Sequence, residues 1–118
     1  MNHPYTKHEG TETWGVIKKS LRALIENNDL TLETSENHVI GYFCQQLFNK
    51  YQSRWFAKEQ IEGVKLYLGD SIIIVDEENA GIKGSILSLE VMEPEPMYFV
   101  ELSGGDSVLV KQSSVEHL

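Results

Sequence analysis

Ser71-Ile72-Ile73-Ile74-Val75, followed after a charged loop by Gly81-Ile82-Lys83-Gly84-Ser85-Ile86-Leu87-Ser88-Leu89, decides how this chain folds. The first run is almost wholly β-branched, and two heavy atoms on Cβ suit a pleated sheet better than a helix. Residues 76–81 read as a loop closed by glycine, and residues 82–92 as the next strand, with Gly84 placed where a bulge or sharp bend is useful. Upstream, Val64, Leu66 and Leu68 alternate onto one face of an expected strand, and Gly69-Asp70 turns the chain. Downstream, Glu93-Pro94-Glu95-Pro96 cannot pair as strand, because proline has no N–H to donate. Met97–Leu102, then Gly104-Gly105, then Ser107–Lys111 read as a hairpin with a clear turn signal. Five short strands with glycine punctuation predict a small, strongly bent antiparallel barrel or sandwich.

Moving outward to the N-terminus, the period changes from two to three and four. Thr11 or Thr13 caps a first helix, and Glu12 lies near the positive end of its dipole. Trp14, Ile17, Leu21, Leu24 and Ile25 form one apolar stripe, with Lys18, Lys19 and Arg22 on the other face. Asn27-Asn28-Asp29 ends the helix, and Leu30 to Thr34 reads as a short extended link. A second helix begins at Thr34 or Ser35. Its broad apolar face is Val39, Ile40, Phe43, Leu47, Phe48 and Tyr51, with small Gly41 and Cys44 beside it to let another helix approach. An antiparallel helical hairpin is the natural outcome. Trp14 and Phe43 are the expected core residues, each worth ~3–5 kcal/mol against alanine if buried. Residues 53–63 read as a short junction helix whose Trp55 and Phe56 pack across it. The expected organisation is a loose arm over 1–10, a helical region over 11–62 and a small β-barrel over 63–118, an α+β chain.

Charge divides along the same line. Residues 1–60 hold seven Lys/Arg against seven Asp/Glu; residues 61–118 hold three against eleven, and the whole chain carries −8. Such a balance opposes phosphate contacts, which need clustered Lys and Arg, and favours basic partners. At 118 residues and 41% apolar the chain has enough material for one domain or two small pieces sharing a core. No apolar run approaches the ~20 residues of a membrane span, and the N-terminus lacks the pattern of a secretory signal. Cys44 is the single cysteine, so no intramolecular disulfide forms; its apolar neighbours point to a buried structural thiol. A cytoplasmic protein is the expectation.

Residues 69–118 resemble a Src-homology-3-like small barrel of the kind found in KOW-motif and Tudor-type modules. The pieces that carry the resemblance are Gly69-Asp70 entering Ile72 to Val75, Gly81-Ile82-Lys83-Gly84 entering Ser85 to Leu89, and Tyr98-Phe99-Val100-Glu101-Leu102. A Gly-Gly-Asp turn, Val108-Leu109-Val110 and a closing Ser113-Ser114-Val115-Glu116 complete it. Such barrels host many unrelated functions, so the resemblance implies a fold and a binding role more than a ligand. The chain departs from the nucleic-acid-binding members at its rims. Asp76, Glu77 and Glu78 occupy the first long loop and Glu93 and Glu95 the next turn, where phosphates would be repelled. A methyl-lysine cage needs several convergent aromatics. Tyr98 and Phe99 are adjacent and point to opposite faces, leaving too few with Tyr67, and Phe99 is expected in the core.

Catalytic signatures are missing. There is no Gly-rich loop followed by Lys-Ser/Thr ahead of a helix, no Cys/His array for zinc and no calcium-loop spacing in Asp76-Glu77-Glu78. His3 and His8 lie in the arm, and His38 and His117 read as surface residues. The expectation is a non-enzymatic protein-interaction module or small accessory protein, without a cofactor or metal and without a membrane. Asp76, Glu77, Glu78, Glu93, Glu95 and Tyr98 are its candidate partner-binding residues. Lys18, Lys19 and Arg22, extended by Lys50, Arg54 and Lys58, form a candidate basic patch. Two alternatives follow: a nucleic-acid-linked regulator, whose basic helical face contacts nucleic acid or whose acidic barrel imitates a phosphate surface, or self-association of the patch with the acidic half of another copy. An accessory subunit of an enzyme is the third.

Overall fold

The computed structural model describes residues 5–76 and 78–118, with the backbone alone of Thr6. The chain forms two compact units, Met1–Lys50 and Tyr51–Leu118. Helix α2 contributes residues to both.

The first unit is a helical pair. Helix α1 (Glu12–Glu26) starts where extended Thr11 turns its Oγ1 to accept the Trp14 N–H at 3.1 Å. It stops at Asn27, after which Asn28 takes a φ of 62°. Helix α2 (Glu36–Phe56) starts with Ser35 Oγ accepting the His38 N–H at 3.1 Å. Arg22, late in α1, bonds Glu36 at the start of α2, while His8, just ahead of α1, bonds Gln45 further along α2. The two helices therefore run antiparallel. Between them Trp14 and Leu21 pack with Ile40 and Cys44, flanked by Ile17, Ile25, Leu30, Leu32 and Val39.

Three expectations for this unit change. Phe43 is not in the core; half of its surface is exposed, and Ile40 and Cys44 take its place. Gly41 does admit a close neighbour, but the neighbour is Tyr5 rather than a helix, since a Cβ at Gly41 would overlap the tyrosine ring. Residues 5–10, read as an arm from their polarity, are seated by this contact, by a 3-10 turn at Thr6–His8 and by the His8–Gln45 bond. Residues 1–4, including His3, lie outside the described residues.

The second unit is a five-stranded antiparallel sheet. Its strands are β1 (Ser71–Ile74), β2 (Lys83–Val91), β3 (Met97–Leu102), β4 (Ser107–Lys111) and β5 (Val115–His117), in the order β4-β3-β2-β1-β5. The expected barrel is not closed. A 3-10 turn at Gln112–Ser114 swings the chain from β4 to the far edge, where the short β5 hydrogen-bonds to β1 and not to β4. The fifth strand is thus 115–117 and not 64–68. Residues 64–67 join no strand ladder, and their Val64 and Leu66 pack into the core of the sheet. No separate helix spans 53–63: α2 continues unbroken to Phe56, and Lys58 leaves the helical region at a φ of 60°.

Ile72, Ile74, Ile86, Leu89, Tyr98, Val100, Leu102, Val110 and Val115 point inward and join Trp55, Ile61, Val64 and Leu66 in one core. The pairing is regular from Phe99↔Leu109 through Glu101↔Ser107, whereas β2 slips against β3 between Ile86 and Ser88 and again between Leu89 and Val91. Gly84 lies away from those slips. A Cβ there would press on the Glu101 carbonyl and the Val100 side chain, so glycine is needed for strand approach rather than for a bend. Gly84→Ala is expected to lower stability by about 1–3 kcal/mol in urea unfolding through overpacking. Gly104→Ala, into open space, is expected to change it by no more than ~0.5 kcal/mol.

Candidate functional site

On α2, residues four apart form rows along the helix. Ile40, Cys44 and Phe48 make one row and are buried. The neighbouring row, Val39, Phe43 and Leu47, starts half-buried and then emerges: Phe43 is 50% and Leu47 47% exposed. The cause is a mismatch of widths. Trp14 and Leu21 of α1, with Ile17 and Ile25 partly buried beside them, pack on Ile40 and Cys44 and leave Phe43 and Leu47 uncovered. Tyr42, also exposed, sets its ring edge-on to Phe43 at 6.1 Å and to Tyr5 at 6.2 Å, which fixes the border of the patch. Lys50, exposed and three residues beyond Leu47, puts a positive charge at its end.

The residues singled out from sequence are dispersed by comparison. Tyr98 is a correction: it is fully buried, and its hydroxyl donates to Gln112 Oε1 at 2.6 Å. Burial pushes its phenol up to about 12, against smaller opposing hydrogen bonds from the Leu66 and Lys65 backbone. The side chain that faces outward is Phe99, expected in the core but 40% exposed. Glu95 is engaged inside its own unit, its carboxylate accepting from Ser113 N–H at 3.1 Å and Ser113 Oγ at 2.9 Å. Glu93 is half-buried. Asp76 and Glu78 are exposed on the loop after β1, and Glu77 lies outside the described residues.

The basic trio is only partly assembled. Arg22 is tied to Glu36 at 2.8 Å, and that hydrogen bond, with the carboxylate's charge, raises its already high pKa. Lys19 is exposed, Lys18 half-buried. Arg54 lies 3.8 Å from Glu59, so it too has a local counter-charge. Among the described residues no group of three His, Cys, Asp or Glu side chains is placed to hold a metal, and no helix is long and apolar enough to cross a membrane. His117 lies 3.6 Å from Asp70, and His8 bonds Gln45. Cys44 is buried.

No match was found among protein-family models, curated proteins or solved structures.

Sequence periodicity does not single out the Phe43–Leu47 row, because it places the whole apolar side of α2 in the core. A signal for it exists in the chain. Val39, Ile40, Phe43, Cys44, Leu47 and Phe48 span two adjacent rows, more than one partner helix with a single stripe can bury.

Proposed function

We propose that this chain is a non-enzymatic protein-interaction module whose helical unit receives a partner along α2. The observation that carries the reading is the exposed row of Phe43 and Leu47, bordered by Tyr42 and ended by Lys50. Large aromatic and aliphatic side chains at i and i+4 are the anchors that helix-to-helix docking uses. The fitting partner is an amphipathic helix of another protein with an acidic residue opposite Lys50. The strand order of the second unit, with its 3-10 turn ahead of β5, supports reading 69–118 as an open relative of the Src-homology-3-like modules. Its acidic surface, twelve Asp/Glu against five Lys/Arg over 51–118, disfavours phosphate there.

The test begins with capture from the native host at moderate salt, comparing wild type with Phe43→Asp. The captured protein is then purified and titrated against both. Loss of an aromatic anchor is expected to weaken binding at least ~10-fold. Because Phe43 is exposed, folding should be unchanged by circular dichroism. Equal affinity for the two chains would sink the assignment of the site. A turnover activity retained after mutation of α2, with no stoichiometric partner, would sink the module reading itself.

A further inference from the structure

We infer that the free edge of β4 pairs with the same edge of a second copy, extending the sheet across a two-fold axis centred on Leu109. The inference is independent of the α2 surface and rests on the register and chemistry of β3 and β4.

β4 ends the sheet, so among the described residues no strand pairs with one side of its backbone. Which groups face outward follows from the hairpin. The Leu102 N–H donates to the Asp106 carbonyl, and the Gln112 N–H donates to the Pro96 carbonyl. In an antiparallel ladder hydrogen-bonded pairs alternate with non-bonded ones. Val108 and Val110 therefore bond inward to β3, while Ser107, Leu109 and Lys111 present their N–H and C=O groups at the free edge. The side chains of these same three residues lie on the exposed face of the sheet, beside Glu101, Phe99 and Met97 respectively. Leu109 is 46% exposed and Phe99, its register partner, 40%.

A two-fold pairing at Leu109 satisfies every one of those edge groups. Leu109 bonds Leu109 of the second copy in both directions, and each Ser107 pairs with the other copy's Lys111, giving six backbone hydrogen bonds. On the exposed face this places Phe99, Leu109 and their two symmetry mates in one continuous apolar row across four strands. The charges also match. Lys111 comes to lie opposite Ser107 of the second copy, and immediately beyond that serine is the second copy's Glu101. Strands are spaced by about 4.8 Å, so lysine and glutamate meet across a side chain too short to separate them. The two-fold repeats this ion pair on either side of the apolar row. Isologous interfaces need such self-complementarity, residue i meeting j while j meets i. A lone lysine on an edge strand serves elsewhere to discourage pairing; here the partner edge supplies its counter-charge.

The experiment uses the full chain at about 0.15 M salt, where the repulsion between two acidic copies is screened beyond ~8 Å. Sedimentation velocity across a concentration series is expected to show a monomer–dimer equilibrium. Lys111→Glu and Glu101→Lys should each weaken the dimer at least 10-fold by placing like charges together. The double exchange, Lys111→Glu with Glu101→Lys, should restore it to within a few-fold, which a lysine acting only as an edge guard would not do. Hydrogen exchange should slow with concentration at the Ser107, Leu109 and Lys111 amides, leaving the Val108 and Val110 amides unchanged. A monomer at all concentrations would overturn the proposal. So would a dimer indifferent to these charges, a double variant that fails to recover although its circular dichroism is unchanged, or protection confined to other strands.

Discussion

Trp55→Ala is expected to remove about 3–5 kcal/mol of stability by opening a cavity in the second unit. The residue is fully buried, and its ring lies nearly parallel to Tyr67, with centroids 6.2 Å apart, and 6.4 Å from Tyr98. Phe56 meets it edge-on at 5.0 Å. The indole also does something that no aliphatic replacement can: its Nε1–H donates to the Leu66 carbonyl at 2.8 Å. That bond secures residues 64–67, which pack into the core of the sheet without a ladder of their own. Leaving the carbonyl unpaired adds about 1–3 kcal/mol where water cannot replace the donor. Domains of this size are stable by only ~5–15 kcal/mol in total, so the variant should lose its urea baseline or unfold near the start of the titration. Trp55→Phe separates the two causes, retaining most of the apolar volume while losing the N–H. Far-UV circular dichroism is the suitable probe, since the substitution removes one of the two tryptophans. A loss below ~1 kcal/mol for Trp55→Ala would contradict this account of the core.

The elements themselves were legible because their signals are local. Thr11 and Ser35 cap helices where the sequence pattern predicts starts, and the isoleucine run at 72–74 and the Gly104-Gly105 turn fall where strand chemistry requires. What failed was phase and partner choice. Tyr98-Phe99 and Val108-Leu109-Val110 are apolar at consecutive positions, so alternation does not say which side faces inward; the register to β2 and β4 decides it, and Tyr98 went in. Val64-Lys65-Leu66 alternates as a strand does, yet its polar backbone groups find side chains instead: Lys65 N–H donates to Gln112 Oε1, and the Leu66 carbonyl accepts from Trp55. Both contacts join residues distant enough that no local pattern encodes them. The same holds for the candidate sites. Charge runs were visible, but Glu95 bonded to Ser113 and Arg22 bonded to Glu36 are structural uses of charge that composition cannot separate from free ones. The surplus of apolar residues on α2 was countable in advance, and it marks the surface that the fold leaves open.

Alkaline pH should expose the cost of burying Tyr98. The phenol is held neutral in the folded chain up to about 12, chiefly because its ionised form would be desolvated. In the unfolded chain it ionises near 10. A raised folded pKa means that the neutral group's contribution is fully present below the unfolded value and is lost as pH climbs from about 10 towards 12. About two pH units correspond to ~2–3 kcal/mol. Tyr98→Phe has no such proton to lose. At neutral pH the variant should be less stable by ~0.5–1.5 kcal/mol, because the 2.6 Å hydrogen bond to Gln112 is gone. Near pH 12 the order should reverse, wild type having lost more than that bond contributes. Urea unfolding of both proteins at matched pH reads the difference directly, and every other titrating group cancels between them. Parallel pH curves, with a gap that neither closes nor changes sign, would show that Tyr98 reaches water in the folded chain. Gln112 would then lose its place as the acceptor that links the phenol, the Lys65 N–H and, through its own Nε2 donor, the Gly63 carbonyl.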